Sequence, residues 1–278
     1  MLRPAIVALL IGAAASFTSA ARADDWGVCK DESATADAAI DACTRIIKAG
    51  KTKGNDLAIT YYNRAISFRQ KNDNESALSD YNDSIRINPK YAKSFNNRGN
   101  IWKDKGDIDR AIADYNEAIR LDPKFALAFA NRGDVWDDKN DSNRAIADLD
   151  QAILLDPKFT LAFINRGNSY KDRGDQDRAI ADYGEAIRLN PKSDVAYMRR
   201  SEAWLKKGDN IAALRDADQA VNLDPNDAAN YATRAAVMRA LNRNDDAVAD
   251  LRKGLSLNPN ATRKRQLEAA LRELGAGP

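Results

Sequence analysis

Asp134, Asp137 and Asp138 crowd three carboxylates together, the kind of grouping from which a Ca²⁺ site or a glycosidase acid/base pair can be built. No loop with ligand spacing surrounds them, and the 278 residues contain no His. Imidazole catalysis, His-ligated metals and His-dependent nucleophiles are therefore excluded, so any reaction would have to run on carboxylates or Lys. We assign no catalytic residue, metal or cofactor. A second column has binding chemistry: Asn63, Asn97, Asn131 and Asn165 recur every 34 residues, continued by Arg199 and Thr233. An Asn side chain carries both a donor and an acceptor, so it can bond both groups of a peptide unit. A third set is doubly periodic. Arg64, Arg98, Arg132, Arg166, Arg200 and Arg234 are each followed sixteen residues later by Asp80, Asp114, Asp148, Asp182, Asp216 and Asp250. Identical chemistry at every turn of a repeat suits architecture better than a ligand site, and predicts ion pairs between helices, within or across repeats.

The elements that must position these columns follow from the prolines. Pro89, Pro123, Pro157, Pro191, Pro225 and Pro259 stand 34 residues apart, which defines six repeats: 58–91, 92–125, 126–159, 160–193, 194–227 and 228–261. In the second, Phe95, Arg98, Gly99 and Trp102 mark one face of a first helix, helix A. Gly106 then supplies a left-handed C-cap and Asp107 an N-cap. Ala111, Ile112, Tyr115, Ala118 and Ile119 face inward on helix B, which Asp122-Pro123 terminates.

The pattern resembles the tetratricopeptide repeat family. A small residue recurs on helix A as Ala65, Gly99, Gly133, Gly167, Ser201 and Ala235, and an Ala on helix B as Ala77, Ala111, Ala145, Ala179, Ala213 and Ala247. The resemblance implies an all-α, right-handed solenoid of stacked antiparallel helix pairs. It also places the Asn column in a concave groove, where similar ladders hold target polypeptides by their backbone. Asn bonded within its own repeat is the other reading of that column. The subclass that clamps acidic chaperone tails needs Lys and Arg that are missing here, for the tested window offers Asn96 and Asn100, then Asn131, then Leu161 and Asn165. Lys103, Asp137 and Lys171 share one place in successive repeats and Asp104, Asp138 and Asp172 the next, so these carboxylates are expected to pair with their Lys neighbours.

Both ends depart from the repeat. Segment 24–57 aligns as a degenerate leading repeat with Cys43 in the aromatic's place and Trp26 and Cys29 on a shortened first helix. Thirteen residues separate the two Cys, so they are no C-x-x-C redox motif. As a disulfide they would staple the segment, contributing on the order of 3 kcal/mol. Leu267, Ala270, Leu271 and Leu274 make an apolar stripe on a capping helix within 262–278, and Arg263-Lys264-Arg265 reads as its wet face. Residues 1–23 read as a signal peptide, with Arg3 ahead of the apolar run Ala5 to Ala15 and an A-x-A site at Ala21-Arg22-Ala23.

Removal of that segment lowers Lys+Arg from 43 to 41 against 41 Asp+Glu, and a neutral chain has no electrostatic basis for binding nucleic acid. With 44% hydrophobic and 30% charged residues, it can bury a core, and stable membrane insertion of the mature chain is not expected. The expectation is a periplasmic or secreted scaffold that binds an extended segment of a cell-envelope protein. A homo-oligomeric assembly module is the alternative, and a carboxylate-based glycan hydrolase a remote one.

Overall fold

The computed structural model describes residues 20–277, among which every regular element is an α-helix. The signal-peptide reading falls mostly outside the described residues, the first helix beginning at Ala20. The chain divides into two compact units, up to Ile101 and from Trp102 onward. In unit 1 stand α1 (Ala20–Lys30), α2 (Ala36–Ala49), α3 (Gly54–Gln70) and α4 (Asn74–Ile87), with α5 (Ala92–Asp104) carrying the boundary. Unit 2 continues with α6 (Ile108–Leu121), α7 (Ala126–Asp138), α8 (Ser142–Leu155), α9 (Thr160–Asp172) and α10 (Gln176–Leu189). It ends with α11 (Asp194–Lys207), α12 (Asn210–Leu223), α13 (Ala228–Ala240), α14 (Asn244–Ser256) and α15 (Ala261–Glu273).

Local chemistry sets these boundaries once per repeat. Asp73, Asp107, Asp141, Asp175 and Asp209 each accept a hydrogen bond from the backbone N–H three residues on, satisfying a donor that the helix leaves orphaned. One residue earlier the chain enters the left-handed region at Asn72, Gly106, Asn140, Gly174, Gly208 and Asn242. Only Gly and Asn occupy this place because a Cβ is strained there and Asn tolerates it best. At the far end of helix B, the carboxamide or carboxylate of Asn88, Asp122, Asp156, Asn190 and Asp224 accepts from the N–H two residues on, forming a turn around each Pro.

Packing within each pair rests on a small residue against a large one. The helix B alanines from Ala77 to Ala247 are all fully buried. Gly167 lies so close to the Tyr183 ring that an added Cβ would sit 2.6 Å from it, and one at Gly133 would sit 2.9 Å from Leu149. Where the partner shrinks to Ala217, the small residue grows to Ser201, whose hydroxyl donates to the Ala213 carbonyl at 2.8 Å. In unit 1 the Sγ atoms of Cys29 on α1 and Cys43 on α2 meet at bonding distance, with Cα atoms 5.0 Å apart. In unit 2, α15 buries Leu267 and Leu271 against Ala247 and Leu251 of α14, with Ala270 and Leu274 at the margin.

Candidate functional site: the helix A face

Arginine is the hub of the array. Arg64, Arg132, Arg166, Arg200 and Arg234 each grip the Asp sixteen residues on, in the helix B of the same pair, through two bonds of 2.6 to 2.9 Å. Arg98 and Asp114 lie in different units. A further contact, which the Asp column alone does not disclose, runs backward by the same sixteen residues. Arg98 donates to Asn82, Arg132 to Asn116, Arg166 to Asp150 and Arg234 to Asp218, so each ties its own helix A to the preceding helix B. Arg64 instead reaches Thr44, and Gly184 gives Arg200 no side-chain acceptor. An aromatic ring three residues earlier lies 5.5 to 5.7 Å from each guanidinium, within cation–π range. Burial pushes the Asp80 and Asp182 carboxyls above the usual range, with the guanidinium opposing it.

At the end of helix A, Lys103 and Asp138 pair as the sequence leads one to expect, and they do so across two helices. Lys103 bonds Asp134 and lies 3.6 Å from Asp138, both on the next helix A. Lys171 likewise crosses to Glu202 at 3.0 Å. A long Lys side chain in the last turn of one helix meets the neighbouring helix more readily than the residue beside it, which points about 100° away on the same helix. Asp137 has no Lys. Ser169 donates to its Oδ2 while its Oδ1 is buried without a hydrogen-bond partner, and burial, reinforced by Asp172 and Asp134, pushes its carboxyl up to about 6. Asp137 and Asp138 are thus engaged separately. Among the described residues no three His, Cys, Asp or Glu are arranged to hold a metal.

The asparagines are half-buried but not equivalent. In unit 1, Asn97 donates to the Tyr62 hydroxyl at 3.2 Å and accepts from Asn96 at 3.0 Å, so it is held inside its own unit. Asn63 lines a hollow of about 600 Å³ with Tyr62, Tyr91, Gln70 and Lys93. In unit 2, α7, α9, α11 and α13 lie side by side, so Asn131, Asn165, Arg199 and Thr233 form a row across them. Arg199 pairs with Glu202 at 3.2 Å.

Sequence reading missed a second row. Leu127, Leu161 and Val195 precede Asn131, Asn165 and Arg199 by one helical turn, hence on the same face, and they are 38%, 47% and 39% exposed. Their 34-residue spacing was the available signal, but a lone Leu in an amphipathic helix reads as core. Unit 2 therefore presents an exposed aliphatic row beside a hydrogen-bonding row.

Fold and site together define an array of 34-residue helix pairs, each uniform in its interior and variable on its helix A face. The tetratricopeptide repeat models match residues 58–91, 92–125, 126–159 and 160–193. The chain belongs to the tetratricopeptide repeat family, and is a protein–protein interaction scaffold. No curated protein matches it. Among solved structures it is similar to a tetratricopeptide repeat protein from Parabacteroides merdae, with 18% identity, 91% of this chain and 99% of that one covered, and a TM-score of 0.71. PilW, a type IV pilus biogenesis factor, is similar at 17% identity over 77% of this chain and 99% of its own, with a TM-score of 0.70. YrrB, described as having an unusual peptide-binding site, matches at 20% identity over 69% of this chain and 96% of its own, with a TM-score of 0.51. At these identities the likeness is one of fold.

Proposed function

We propose that the chain is a non-enzymatic scaffold that holds an extended segment of a cell-envelope protein against the helix A face of unit 2. The observation that carries this is the pairing of rows: Leu127, Leu161 and Val195 exposed in register, one turn from Asn131, Asn165 and Arg199. Packed helices stand about 8 to 10 Å apart, and an extended chain rises about 3.3 Å per residue. A segment crossing α7, α9 and α11 would meet one aliphatic side chain and one polar side chain about every three residues. The aliphatic row would take its side chains and the Asn row its backbone amides, which favours broad sequence tolerance. Asn97 lies in unit 1 and so outside this strip, while Asn63 belongs to the hollow in unit 1.

Export to the periplasm or beyond is part of the proposal. It is supported by the leader-like residues 1–23 and by the Cys29 and Cys43 sulfurs at bonding distance, since disulfides persist in oxidising compartments. A photocrosslinking residue at Leu161 in the full chain, expressed in its own cells, should form adducts that map to one contiguous stretch of a partner. The same residue at Ile211, exposed on α12, should not. Equal adducts from both positions, or adducts only to a second copy of this chain, would overturn the reading.

A further inference from the structure

At the far end of the same face lies a hollow of about 470 Å³ built by α11, α13 and α15. Its floor is Ala232, Ala236 and Thr233, with Leu205 alongside. Two cations stand on it, Lys206 from α11 and Arg263 from the capping helix α15. Arg263 is half-buried here, whereas its neighbours point elsewhere: Lys264 lies 4.0 Å from Glu268 and Arg265 donates to the Ala261 carbonyl. So the expectation of a wholly wet Arg263-Lys264-Arg265 run does not hold for Arg263.

The charge balance decides what this hollow accepts. Nearby basic side chains already have carboxylate partners: Lys207 with Asp177, Arg199 with Glu202, and Arg239 with Glu273. The hollow's own acid, Glu202, is shared between Lys171 at 3.0 Å and Arg199 at 3.2 Å. Lys206 and the Arg263 guanidinium have no carboxylate partner among the described residues. Two uncompensated cations over a floor of small apolar groups match a carboxylate followed or preceded by a short aliphatic side chain.

We propose that this hollow is an acidic-residue pocket, which takes an Asp or Glu side chain of a bound peptide between Lys206 and Arg263 and an adjacent small aliphatic side chain on Ala232 and Ala236. The proposal rests on the reading of the helix A face as a peptide-binding surface, and gives the bound segment a polarity by anchoring one end. Guanidinium and ammonium groups from two different helices would then clamp the carboxylate with charge-assisted bonds, and peptide binding would link α15 to the repeats it caps.

The test uses the full chain with methyl-labelled Ala, titrated with a capped Ala-Val-Glu-Val-Ala peptide, its Gln counterpart and inorganic phosphate. The Glu peptide should shift the Ala232 and Ala236 methyl signals, with the Gln peptide at least tenfold weaker. The Lys206→Gln/Arg263→Gln variant should lose at least tenfold for the Glu peptide while keeping its melting temperature. Equal binding of the Glu and Gln peptides, or no shift at either Ala, overturns the pocket, and phosphate binding as tightly as the peptide overturns its assignment to an acidic side chain. Asn131→Ala/Asn165→Ala separates the two levels. If that variant loses a partner segment and the Lys206/Arg263 variant keeps it unchanged, the face stands and the pocket falls.

Discussion

Arg132→Ala removes two bonds of 2.6 and 2.7 Å to Asp148, one of 2.6 Å to Asn116 and the cation over Phe129 at 5.6 Å. The side chains of Arg132 and Asp148 are 20% and 11% exposed. What the deletion leaves behind decides the magnitude. Asp148 stays between α7 and α8 as a nearly buried carboxylate without its counter-ion, a situation that costs about 3 kcal/mol or more. The Phe129 contact adds about 0.5 to 1 kcal/mol, and Asn116, being exposed, can bond water. The expected loss is therefore about 3 to 4 kcal/mol. The pair itself contributes far less than its disruption costs, because burying two charges consumes most of their attraction. Arg132→Met/Asp148→Leu should accordingly lie within about 1 to 2 kcal/mol of the parent. Urea unfolding of the parent, Arg132→Met, Asp148→Leu and the double variant, followed by circular dichroism, measures the coupling. A coupling of at least 2 kcal/mol is expected. A value near zero, with Arg132→Ala costing under 1 kcal/mol as an exposed pair would, would refute the description of Arg132 as a hub.

Three other perturbations probe separate parts of the fold. Gly167→Ala gains about 1 kcal/mol of helix propensity but puts a methyl 2.6 Å from the Tyr183 ring, so a net loss of about 1 to 2 kcal/mol is expected from overpacking, and a rise in melting temperature would contradict the packing. Asp137 holds its proton more tightly folded than unfolded, so it adds stability below pH 4 that is lost as pH rises toward 6. After discounting for its partial exposure, Asp137→Asn should be about 1 kcal/mol more stable than the parent at pH 7 and equal to it at pH 3.5, whereas a pH-independent difference would show that the carboxyl is not perturbed. Mass analysis of the exported chain should find Cys29 and Cys43 resistant to alkylation until reduced, and two free thiols would remove the staple between α1 and α2.

Much of the fold was legible because it is written in residues that recur from repeat to repeat. The 34-residue prolines, the helix B alanines and the Gly or Asn turn residues each meet a steric demand that few side chains satisfy. The Arg and Asp columns were legible for the same reason. The backward partner of Arg was not, since its place holds Asn82, Asn116, Asp150, Gly184 and Asp218, and that drift hides a contact that tolerates any short acceptor. The Asn column showed the opposite failure. Four identical residues implied one role, yet Asn97 sits beside a Tyr62 hydroxyl that it bonds. Charge pairing at the ends of helix A was legible for Lys103 and Asp138 but not for Asp134, which the same Lys bonds across the helix interface.

The central claim is that Asn131 and Asn165, beside the Leu127, Leu161 and Val195 row, grip a partner's backbone. Its most direct test is isothermal titration of the parent and of Asn131→Ala/Asn165→Ala with the partner segment identified by crosslinking from Leu161. At about 1 kcal/mol per lost hydrogen bond, the account predicts binding weakened about 30-fold while circular dichroism shows the helices intact. Unchanged affinity, together with a melting temperature lowered by several degrees, would make the asparagines structural and contradict it.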